Sequence, residues 1–337
     1  MPDRSTALQT FLAGTDWAGA GMTDLAGDAS NRRYLRLRRQ ETGETAVLMD
    51  APTERGEDVR PFVRIARYLT GLGLSAPHIL AKDAQHGFLI LEDLGDALFA
   101  RVIRDAPEME EPLYAAATDV LAGLHRHAPP SGLDAYAPPL MADLAALAFD
   151  WYLAGVTGAQ SPHRAAFHTA LKDTLAGLSN IADVLIQRDY HAENLLWLPK
   201  RTGLARVGLL DFQDAMLGHR AYDLVSILQD ARRDVPPAIE TAMIDRYIAT
   251  TGVATKDFLT AYHCLGAQRN LRILGVFARL CLRDGKVGYV DLIPRVWAHL
   301  AHDLAHPAMA RVADILDGVL PGPDPDILQG LKDQCRP

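Results

Sequence analysis

The stretch that decides the fold lies between residues 188 and 214. It reads RDYHAEN (188–194), LLWL (195–198), PKRTG (199–203) and, three residues later, VGLLDFQD (207–214). Two short apolar runs joined by a turn-rich polar segment predict a β-hairpin. Such a hairpin brings Asp189, Asn194 and Asp211 to one end.

These three side chains carry the groups that phosphoryl transfer from a nucleotide needs. One Asp accepts the proton of the attacking hydroxyl, while an Asn and a second Asp hold a divalent metal ion on the phosphates. The spacing from Asp189 to Asn194 is that of the kinase catalytic loop, D-x-x-x-x-N, and Asp211 precedes Phe212 as the metal-binding Asp does. In the alternative interpretation, the two Asp residues belong to turns and Asn194 is a local cap. We predict Asp189 as the catalytic base and Asn194 and Asp211 as metal ligands, because together they complete a mechanism.

A zinc site of the deaminase type is excluded. His191 and Glu193 have the H-x-E spacing of such a site, but the site also requires a Pro-Cys-x-x-Cys segment. The cysteines Cys264, Cys281 and Cys335 are too far apart to supply it. We expect them to be reduced thiols of a cytoplasmic protein.

Several segments resemble the aminoglycoside phosphotransferase family, a branch of the protein-kinase-like fold: 188–194, 211–215 (DFQDA) and 222–224 (YDL). Further segments are similar to the anomeric N-acetylmuramate/N-acetylglucosamine kinases of bacterial cell-wall recycling, namely 27–34 (GDASNRRY), 49–52 (MDAP), 60–62 (RPF) and 268–271 (QRNL). The resemblance covers nearly the whole chain. It implies an ATP-dependent kinase that uses Mg²⁺ and phosphorylates an amino sugar.

The order of predicted elements indicates an α+β fold with two lobes. Apolar runs at 22–25, 34–37, 45–49, 77–81 and 87–91 predict a small five-stranded antiparallel sheet in a nucleotide-binding lobe of residues 1–92. Beyond residue 96, apolar residues recur three and four apart, which predicts a larger, mostly helical lobe of residues 93–337 for catalysis and substrate binding. The resemblance implies that the two lobes form the bilobal protein-kinase-like fold.

The polar loop between the first two strands is predicted to lay backbone N–H groups over the phosphates of ATP. Its predicted nucleotide contacts are Gly27, Ser30, Asn31, Arg32 and Arg33. Because the loop contains a single glycine, an ordinary hairpin loop is the alternative.

The third predicted strand lacks the lysine that kinases use to hold the phosphates. Residues 45–50 read TAVLMD, and Arg64 stands where the Glu partner of that lysine would align. We therefore expect that Arg64, or Arg32 and Arg33 in the loop, neutralises the phosphates. The alternative for Arg64 is a solvent-exposed position on its helix.

The turn-rich segment EDLG (92–95) separates the predicted lobes. The resemblance implies a hinge whose backbone hydrogen-bonds adenine, with Glu92 and Leu94 as the contacts; a plain strand-to-helix connection is compatible with the same sequence. The resemblance also implies that Asp223 supports the catalytic loop from the start of a helix, and an N-cap is the local alternative.

The helix predicted over residues 256–283 places Arg269 and Arg272 in an apolar sequence. Residues three apart share one side of a helix, and a solvated face is the usual explanation for charges there. The functional interpretation is that this helix walls the acceptor site and that an Arg meets the carboxylate of N-acetylmuramate through a forked pair. His191, Glu193 and Asp214 are also predicted to contact the substrate.

Composition restricts the partners of the chain. A net charge of −8 and 49% hydrophobic residues are typical of a soluble globular protein. Nucleic acids and anionic membranes both require clustered Lys and Arg, so neither is an expected partner. Residues 1–15 lack a basic start followed by an apolar segment, which predicts no signal peptide. We expect a cytoplasmic monomer whose partners are ATP and a small amino sugar.

The predicted reaction is Mg-ATP-dependent phosphoryl transfer to the anomeric hydroxyl of N-acetylmuramate or N-acetylglucosamine. An aminoglycoside kinase would need an acidic pocket for its polycationic substrate, and a choline-type kinase would need an aromatic cage. The missing strand lysine also leaves open a pseudokinase, which binds nucleotide without turnover. The presence of Asp189, Asn194 and Asp211 weighs against that alternative.

Overall fold

Alternating apolar residues in the first ninety positions form a five-stranded antiparallel sheet, as predicted. The computed structural model of the protein describes residues 3–25 and 31–335. Neighbouring strands pair in the order β1-β2-β3-β5-β4, all antiparallel. The strands are β1 (Gly21–Asp24), β2 (Arg33–Arg38), β3 (Thr45–Asp50), β4 (Ile79–Asp83) and β5 (Phe88–Glu92).

The first helix, α1 (Arg4–Ala13), covers one face of this sheet. Successive side chains of a strand point to opposite faces. Leu35 and Leu37 of β2 point toward α1 and form a core there with Leu8, Leu12, Trp17, Ala46, Leu48, Phe88 and Ile90. Tyr34 and Arg36 of the same strand therefore lie on the opposite face. The helix after β3 is α2 (Arg60–Gly71), and it buries a stripe that includes Phe62, Ile65 and Leu69.

The rest of the chain is mostly helical, with two short antiparallel strand pairs. The pairs are β6 (Val184–Ile186) with β9 (Met216–Gly218) and β7 (Leu195–Trp197) with β8 (Val207–Leu209). The second pair is the predicted hairpin, which is confirmed. The helices are α3 (Phe99–Asp105), α4 (Glu110–Leu124), α5 (Pro138–Ala145), a π-helical segment (Ala148–Leu153), α6 (Ala154–Thr157), α7 (Arg164–Ala176), α8 (Tyr222–Leu228), α9 (Pro237–Thr251), α10 (Thr255–Leu282), α11 (Ile293–Leu304), α12 (Ala310–Leu316) and α13 (Pro325–Asp333).

Packing divides the chain into two compact units. The first comprises Met1–Val120 and Ala192–Ala215, and the second comprises Leu121–His191 and Met216–Pro337. The hairpin belongs to the first unit, where the Leu209 N–H donates to the Ser75 carbonyl over 2.9 Å and the Trp197 N–H donates to the Ala97 carbonyl over 2.8 Å. The predicted lobes, residues 1–92 and 93–337, divide the chain at the change from strands to helices, which is a different criterion from packing.

One helical stretch within the described ranges, Pro138–Thr157, is long and apolar enough by composition to cross a membrane. It consists of α5, the π-helical segment and α6, and α5 packs against α7 and α10 inside the second unit. Phe149 and Tyr152 are buried there, and Asp150 forms an ion pair with Arg164 of α7. A core helix of a globular unit makes contacts of this kind.

Candidate active site

The loop before Asp189 is fixed by a buried carboxylate. The Asp223 side chain is fully buried; its two oxygens accept the Gln187 N–H over 2.6 Å and the Arg188 N–H over 2.9 Å. Arg188 has a backbone φ of +71°, a left-handed conformation that is unfavourable for a residue with a side chain. Asp223, in the first turn of α8, thus holds the loop before Asp189 as expected, and the catalytic role of that loop stays a prediction. Asp223 does not cap its own helix, because the N-cap of α8 is Ala221.

Burial dominates the ionisation of Asp223. Removal from water raises the pKa of this carboxyl to about 7, although the N–H groups of Gln187 and Arg188 oppose the rise. The charge of Asp189 raises the pKa further, and the Arg269 guanidinium lowers it. The carboxyl is therefore poised to change its charge near neutral pH.

The hairpin brings Asn194 and Asp211 together, as predicted. The Leu210 N–H donates to the Asn194 carbonyl over 3.0 Å and closes the open end of the hairpin. The Asn194 Nδ2 and the Asp211 Oδ2 lie 3.5 Å apart, and the Gln213 amide donates to the other Asp211 oxygen over 2.6 Å. Asp211 also has a positive φ of 55°, which an Asp side chain tolerates better than most.

This pair of side chains fits a magnesium ion. Mg²⁺ is held in proteins by one or two carboxylates, and the remaining positions are filled by water and substrate phosphates. A half-turn of the Asn194 amide would present its oxygen beside the Asp211 carboxylate in place of its nitrogen. Within residues 3–25 and 31–335 there is no cluster of three or more His, Cys, Asp or Glu side chains that could form an all-protein metal cage.

Two tyrosines and two arginines surround the region of Asp189 in the second unit. The Arg188 guanidinium carbon lies 5.4 Å from the centre of the Tyr136 ring, and the rings of Tyr136 and Tyr222 meet edge to face at 5.0 Å. The Arg272 Nη1 donates to the Tyr222 hydroxyl over 3.3 Å. Burial lowers the pKa of Arg272, but the neighbouring Tyr222, Tyr136 and Asp189 outweigh it and raise the pKa overall. Arg272 thus stays a cation at every working pH.

Arg269 has a different environment from Arg272, one turn away on the same helix. Its side chain is buried, with the Nη1 donating to the Gln229 carbonyl over 3.2 Å and the Nη2 donating to the Ser226 hydroxyl over 3.0 Å. The Ser226 hydroxyl in turn donates to the Arg188 carbonyl over 3.4 Å. A solvated face is therefore wrong for Arg269, which is linked through the Ser226 hydroxyl to the backbone carbonyl of Arg188. Its contact with a substrate stays a prediction.

The other predicted substrate residues differ in exposure. His191 is buried, and burial, together with the charges of Arg232 and Arg269, lowers its pKa to about 3, so the imidazole is neutral at pH 7. Glu193 and Asp214 are exposed. Their role in binding stays a prediction.

The predicted hinge is held by two arginines on either side of it. The Arg201 guanidinium donates to the Glu92 carboxylate over 2.5 Å and to the Ser75 hydroxyl over 2.6 Å. The Glu92 N–H donates to the His78 carbonyl over 2.8 Å, so this donor is already used inside the sheet. Leu94 is half-buried and packs on Gly208, where a Cβ would lie 3.3 Å from the Leu94 Cδ1.

On the other side of the hinge, Arg36 of β2 holds two acids. Its Nε donates to the Asp93 carboxylate over 2.7 Å, and its Nη2 donates to the Asp96 carboxylate over 2.9 Å. Burial raises the pKa of Asp93, but the Arg36 guanidinium and the Gly95 N–H outweigh it and hold the pKa below its ordinary value. The segment is therefore tied to the sheet by charge-assisted hydrogen bonds.

The predicted phosphate contacts fall into distinct groups. Gly27 and Ser30 lie outside the described residues. Asn31 is exposed, as is Arg64 on α2. Arg33 is exposed and pairs with Asp24 over 2.9 Å, whereas Arg32 is half-buried and pairs with Glu57 over 2.8 Å.

Residues 21–262 match the sequence model of the phosphotransferase enzyme family. The chain belongs to this family. An N-acetylmuramate/N-acetylglucosamine kinase of Caulobacter vibrioides is 40% identical to this phosphotransferase, with 95% of this chain and 97% of the relative covered. A kinase of the same name from Pseudomonas aeruginosa is 33% identical, with 88% of each chain covered. The predicted family is therefore confirmed.

Solved structures support the predicted architecture of the phosphotransferase. The ethanolamine kinase of Plasmodium vivax superposes with a TM-score of 0.63 at 11% identity, with 91% of this chain and 89% of that chain covered. At such an identity the likeness shows the fold alone. The protein-kinase-like α+β fold, with its small antiparallel sheet and helical remainder, is confirmed.

Several residues that contact the predicted site residues were missed by the sequence interpretation. Gln213 holds Asp211, Arg36 and Arg201 hold the hinge, and Tyr136 and Tyr222 pack beside Arg188 and Arg272. Gln213 and Tyr222 stand inside quoted motifs, so their position carried a signal. Tyr136 lies in a proline-rich connection 50 residues upstream of the loop, where nothing in the local pattern marks it.

Proposed function

We propose that this phosphotransferase transfers the γ-phosphoryl group of ATP to the anomeric hydroxyl of N-acetylmuramate, N-acetylglucosamine or both, as a step of peptidoglycan recycling. The observation that carries the proposal is the 40% identity, over nearly the full chain, to a kinase with these two sugars in its name. We further propose a cytoplasmic monomer, because the composition is that of a soluble protein and the net charge is −8.

In this proposal Asp189 orients the acceptor hydroxyl and takes its proton late in the transfer. An anomeric hydroxyl is more acidic than an ordinary alcohol, so a weak carboxylate base suffices. The carboxylate of Asp223 and the hydroxyl of Ser226 would keep the Asp189 loop in place through the backbone of residues 187 and 188.

Asn194 and Asp211 would hold Mg²⁺, and Gln213 would fix the Asp211 carboxylate for that task. The metal, when bound, neutralises charge on the β- and γ-phosphate oxygens. The backbone near Leu94 and the Glu92 carbonyl would meet adenine, since the Glu92 N–H is already bonded within the sheet. Loop residues Gly27, Ser30 and Asn31 would contact the phosphates through their N–H groups.

The charges near Asp189 favour an acidic or neutral sugar over a polycation. The cations Arg269 and Arg272 both interact electrostatically with Asp189, and Arg188 directly precedes it. An aminoglycoside would need acids at this place. A choline-type substrate is disfavoured as well, because the Arg188 guanidinium already occupies a face of Tyr136 where a quaternary ammonium would stack.

Arg272 is the proposed contact for the carboxylate of N-acetylmuramate. Its guanidinium is half-buried beside the Tyr222 hydroxyl, and its forked geometry matches a carboxylate. N-acetylglucosamine lacks this carboxylate, so Arg272 would separate the two sugars.

A sugar panel tests the proposal. ATP consumption is measured with N-acetylmuramate, N-acetylglucosamine, kanamycin and choline, and the product is examined for a 1-phosphate. We expect turnover with at least one of the two amino sugars, and we expect Asp189→Ala to reduce kcat by roughly 1000-fold or more while the affinity for ATP is kept. Turnover of kanamycin or choline alone, or loss of ATP binding along with kcat in the variant, would contradict the assignment.

Two further variants in the same panel test the acceptor contacts. Arg272→Ala should raise the KM for N-acetylmuramate by about tenfold or more and change the KM for N-acetylglucosamine little. Arg295→Ala is the matched control, since Arg295 pairs with an exposed Asp234 elsewhere in the second unit. Equal KM changes for both sugars in Arg272→Ala would argue against a carboxylate contact.

A further inference from the structure

The third strand of the sheet holds no cation for a nucleotide. In protein kinases a Lys on this strand contacts the phosphates and is paired with a Glu of the following helix. Here β3 reads TAVLMD, and its one charged residue, Asp50, pairs with Arg4 of α1. A kinase with this strand needs its cation elsewhere in the same unit.

The three candidate cations of the first unit differ in burial and pairing. The Arg33 side chain is 58% exposed and faces Asp24, which is itself 73% exposed. Arg64 is exposed on α2. The Arg32 side chain is only 15% exposed and pairs with a Glu57 side chain that is 13% exposed. Of these, only the Arg32 pair is shielded enough from water for its charge to act strongly on a ligand.

Arg32 directly precedes β2, and the alternation of that strand assigns Arg32 to the side turned away from α1. It stands two residues before Tyr34 and four before Arg36, and residues spaced by two share one face of a strand. Leu35 and Leu37 occupy the other face, against α1. Arg36 reaches the predicted hinge at Asp93 over 2.7 Å, so this face of β2 runs from the hinge to Arg32.

Glu57 lies just before α2, the helix that follows β3, and protein kinases carry the Glu partner of their lysine on the corresponding helix. Glu57 is in the connection between the 3₁₀ turn Thr53–Arg55 and the start of α2 at Arg60. The ion pair with Arg32, at 2.8 Å from the Nε, therefore joins the beginning of β2 to the entrance of the helix. A guanidinium presents its donors in a fork that matches the oxygens of a phosphate, and Tyr34 contributes a side-chain hydrogen bond to Arg32 as well.

We propose that Arg32 binds the phosphates of ATP and that Glu57 is the positioning residue that orients it, so that this pair replaces the Lys–Glu pair of protein kinases. The inference rests on the proposed function, because it takes ATP as the ligand. It assigns the phosphate contact to Arg32 among the three candidate cations. It also assigns a role to Glu57, an acid that no motif in the sequence indicates.

The test compares two ligands that differ only in their phosphates. Binding of ATP and of adenosine to the full chain is measured by calorimetry for the wild type, Arg32→Ala, Glu57→Gln and Arg104→Ala. We expect Arg32→Ala to weaken ATP binding at least tenfold and adenosine binding less than twofold. Glu57→Gln should weaken ATP binding about three- to tenfold, again with adenosine unchanged. Arg104→Ala, which removes an exposed cation paired with Asp105 on α3 of the same unit, should change neither.

Two additional variants protect the test against loss of folding. Arg32→Lys keeps the positive charge and should retain ATP affinity better than Arg32→Ala. In the exchanged variant Arg32→Glu with Glu57→Arg, ATP affinity should exceed that of Arg32→Glu alone. Equal ATP affinities for Arg32→Ala, Arg104→Ala and the wild type would overturn the inference, and so would parallel losses for ATP and adenosine.

The inference and the proposed function can fail separately. If the wild type binds ATP but phosphorylates no amino sugar, the proposed substrate is wrong, and the comparison of ATP with adenosine still decides about Arg32 and Glu57. If the wild type phosphorylates an amino sugar while Arg32→Ala keeps the wild-type KM for ATP, the ion pair is overturned and the function stands.

Discussion

At the scale of single residues, the backbone of Arg188 shows how the loop before Asp189 is stabilised. Its left-handed conformation costs about 1–3 kcal/mol. The Asp223 carboxylate offsets that cost by accepting two backbone N–H groups in a fully buried position. Removing the acceptor would leave both donors buried without a partner, which costs about 1–3 kcal/mol for each. Asp223 is therefore a positioning residue for Asp189.

Asp223 also gives the protein a specific dependence on pH. An Asp in an unfolded chain has a pKa of about 3.9, whereas burial raises the pKa of Asp223 to about 7. Between these two values the folded chain binds more protons than the unfolded chain, so the free energy of unfolding falls as the pH rises, by up to about 1.4 kcal/mol per pH unit. The contribution is complete below about pH 4 and is lost as the pH rises through about 7.

We predict that this slope disappears in Asp223→Asn. The free energy of unfolding in urea is measured for the wild type and the variant from about pH 5 to about pH 8. The value of the wild type minus that of the variant should fall up to about pH 7 and stay constant above it. Asp245→Asn, at an exposed position on α9, is the control and should follow the wild type at every pH. A difference between wild type and Asp223→Asn that does not vary with pH would show that the carboxyl does not titrate in this range.

Much of the residue-level site could be predicted because it is local in sequence. Asn194 and Asp211 are joined by a short hairpin whose apolar runs and turn residues are visible in the sequence. The burial of Arg269 and its bonds to Gln229 and Ser226 could not be predicted, because they depend on a helix 40 residues away. Periodicity shows which side of a helix is apolar but not which polar partner meets it.

At the scale of elements, buried polar groups connect the middle of α10 with the end of α8 and with α11. The Asn270 amide donates to the Gln229 side chain over 2.7 Å and to the Asp303 carboxylate over 3.3 Å. Asp303, on α11, also accepts from Gln229 over 3.1 Å and is 3.0 Å from the His263 Nδ1. Buried polar groups that are mutually bonded specify one arrangement of the helices.

Gly266 makes room for this network on α10. A Cβ at that position would lie 2.2 Å from the Asp303 Oδ2, which is closer than atoms can approach. We predict that Gly266→Ala lowers the free energy of unfolding by about 1–3 kcal/mol or more, because the carboxylate must move away from its partners. The measurement is urea unfolding at constant pH.

The matched control for this substitution is Gly330→Ala on α13. A Cβ there meets nothing within 4 Å, so the gain in helix propensity should raise stability by about 0.5–1 kcal/mol. Stabilisation by both substitutions would mean that α10 and α11 can shift apart without loss, contrary to a tight network.

At the element scale the sequence predicts the long helices and the sheet better than the short pairings. The pairing of β6 with β9 joins segments 30 residues apart, each three residues long, and neither carries the alternation that marks a strand. α13 is short, and its burial rests on Leu331, whose position against Gly155 is set by tertiary packing. Such elements are specified by their neighbours rather than by their own sequence.

At the scale of the whole molecule, the chain passes between the two packing units three times. Residues 192–215 belong with residues 1–120, although they follow the whole first segment of the second unit, residues 121–191, in the sequence. Ser75 and Glu92 supply hydrogen-bond partners to Leu209 and Arg201 of that hairpin. The first unit therefore includes the hairpin as well as the N-terminal residues, and a continuous segment that ends near residue 92 lacks part of it.

We predict that a fragment comprising residues 93–337 does not form the β7–β8 hairpin. Without Ser75, the Leu209 N–H loses its acceptor and the strand pair loses its neighbour, and an isolated two-stranded hairpin is marginal in water. Hydrogen exchange should show fast exchange at Leu209 in the fragment and slow exchange in the full chain. Adding a fragment of residues 1–92 should restore protection, and slow exchange in residues 93–337 alone would contradict the packing described.

The absence of lysine from β3 has a practical consequence for labelling. Acylating nucleotide probes tag kinases by transferring an acyl group to a lysine amine near the phosphates. On β3 of this protein they would find Met49 and Asp50 instead of an amine. A guanidinium is neither acylated by such reagents nor deprotonated at working pH, so we expect a proteome survey based on them to overlook this enzyme.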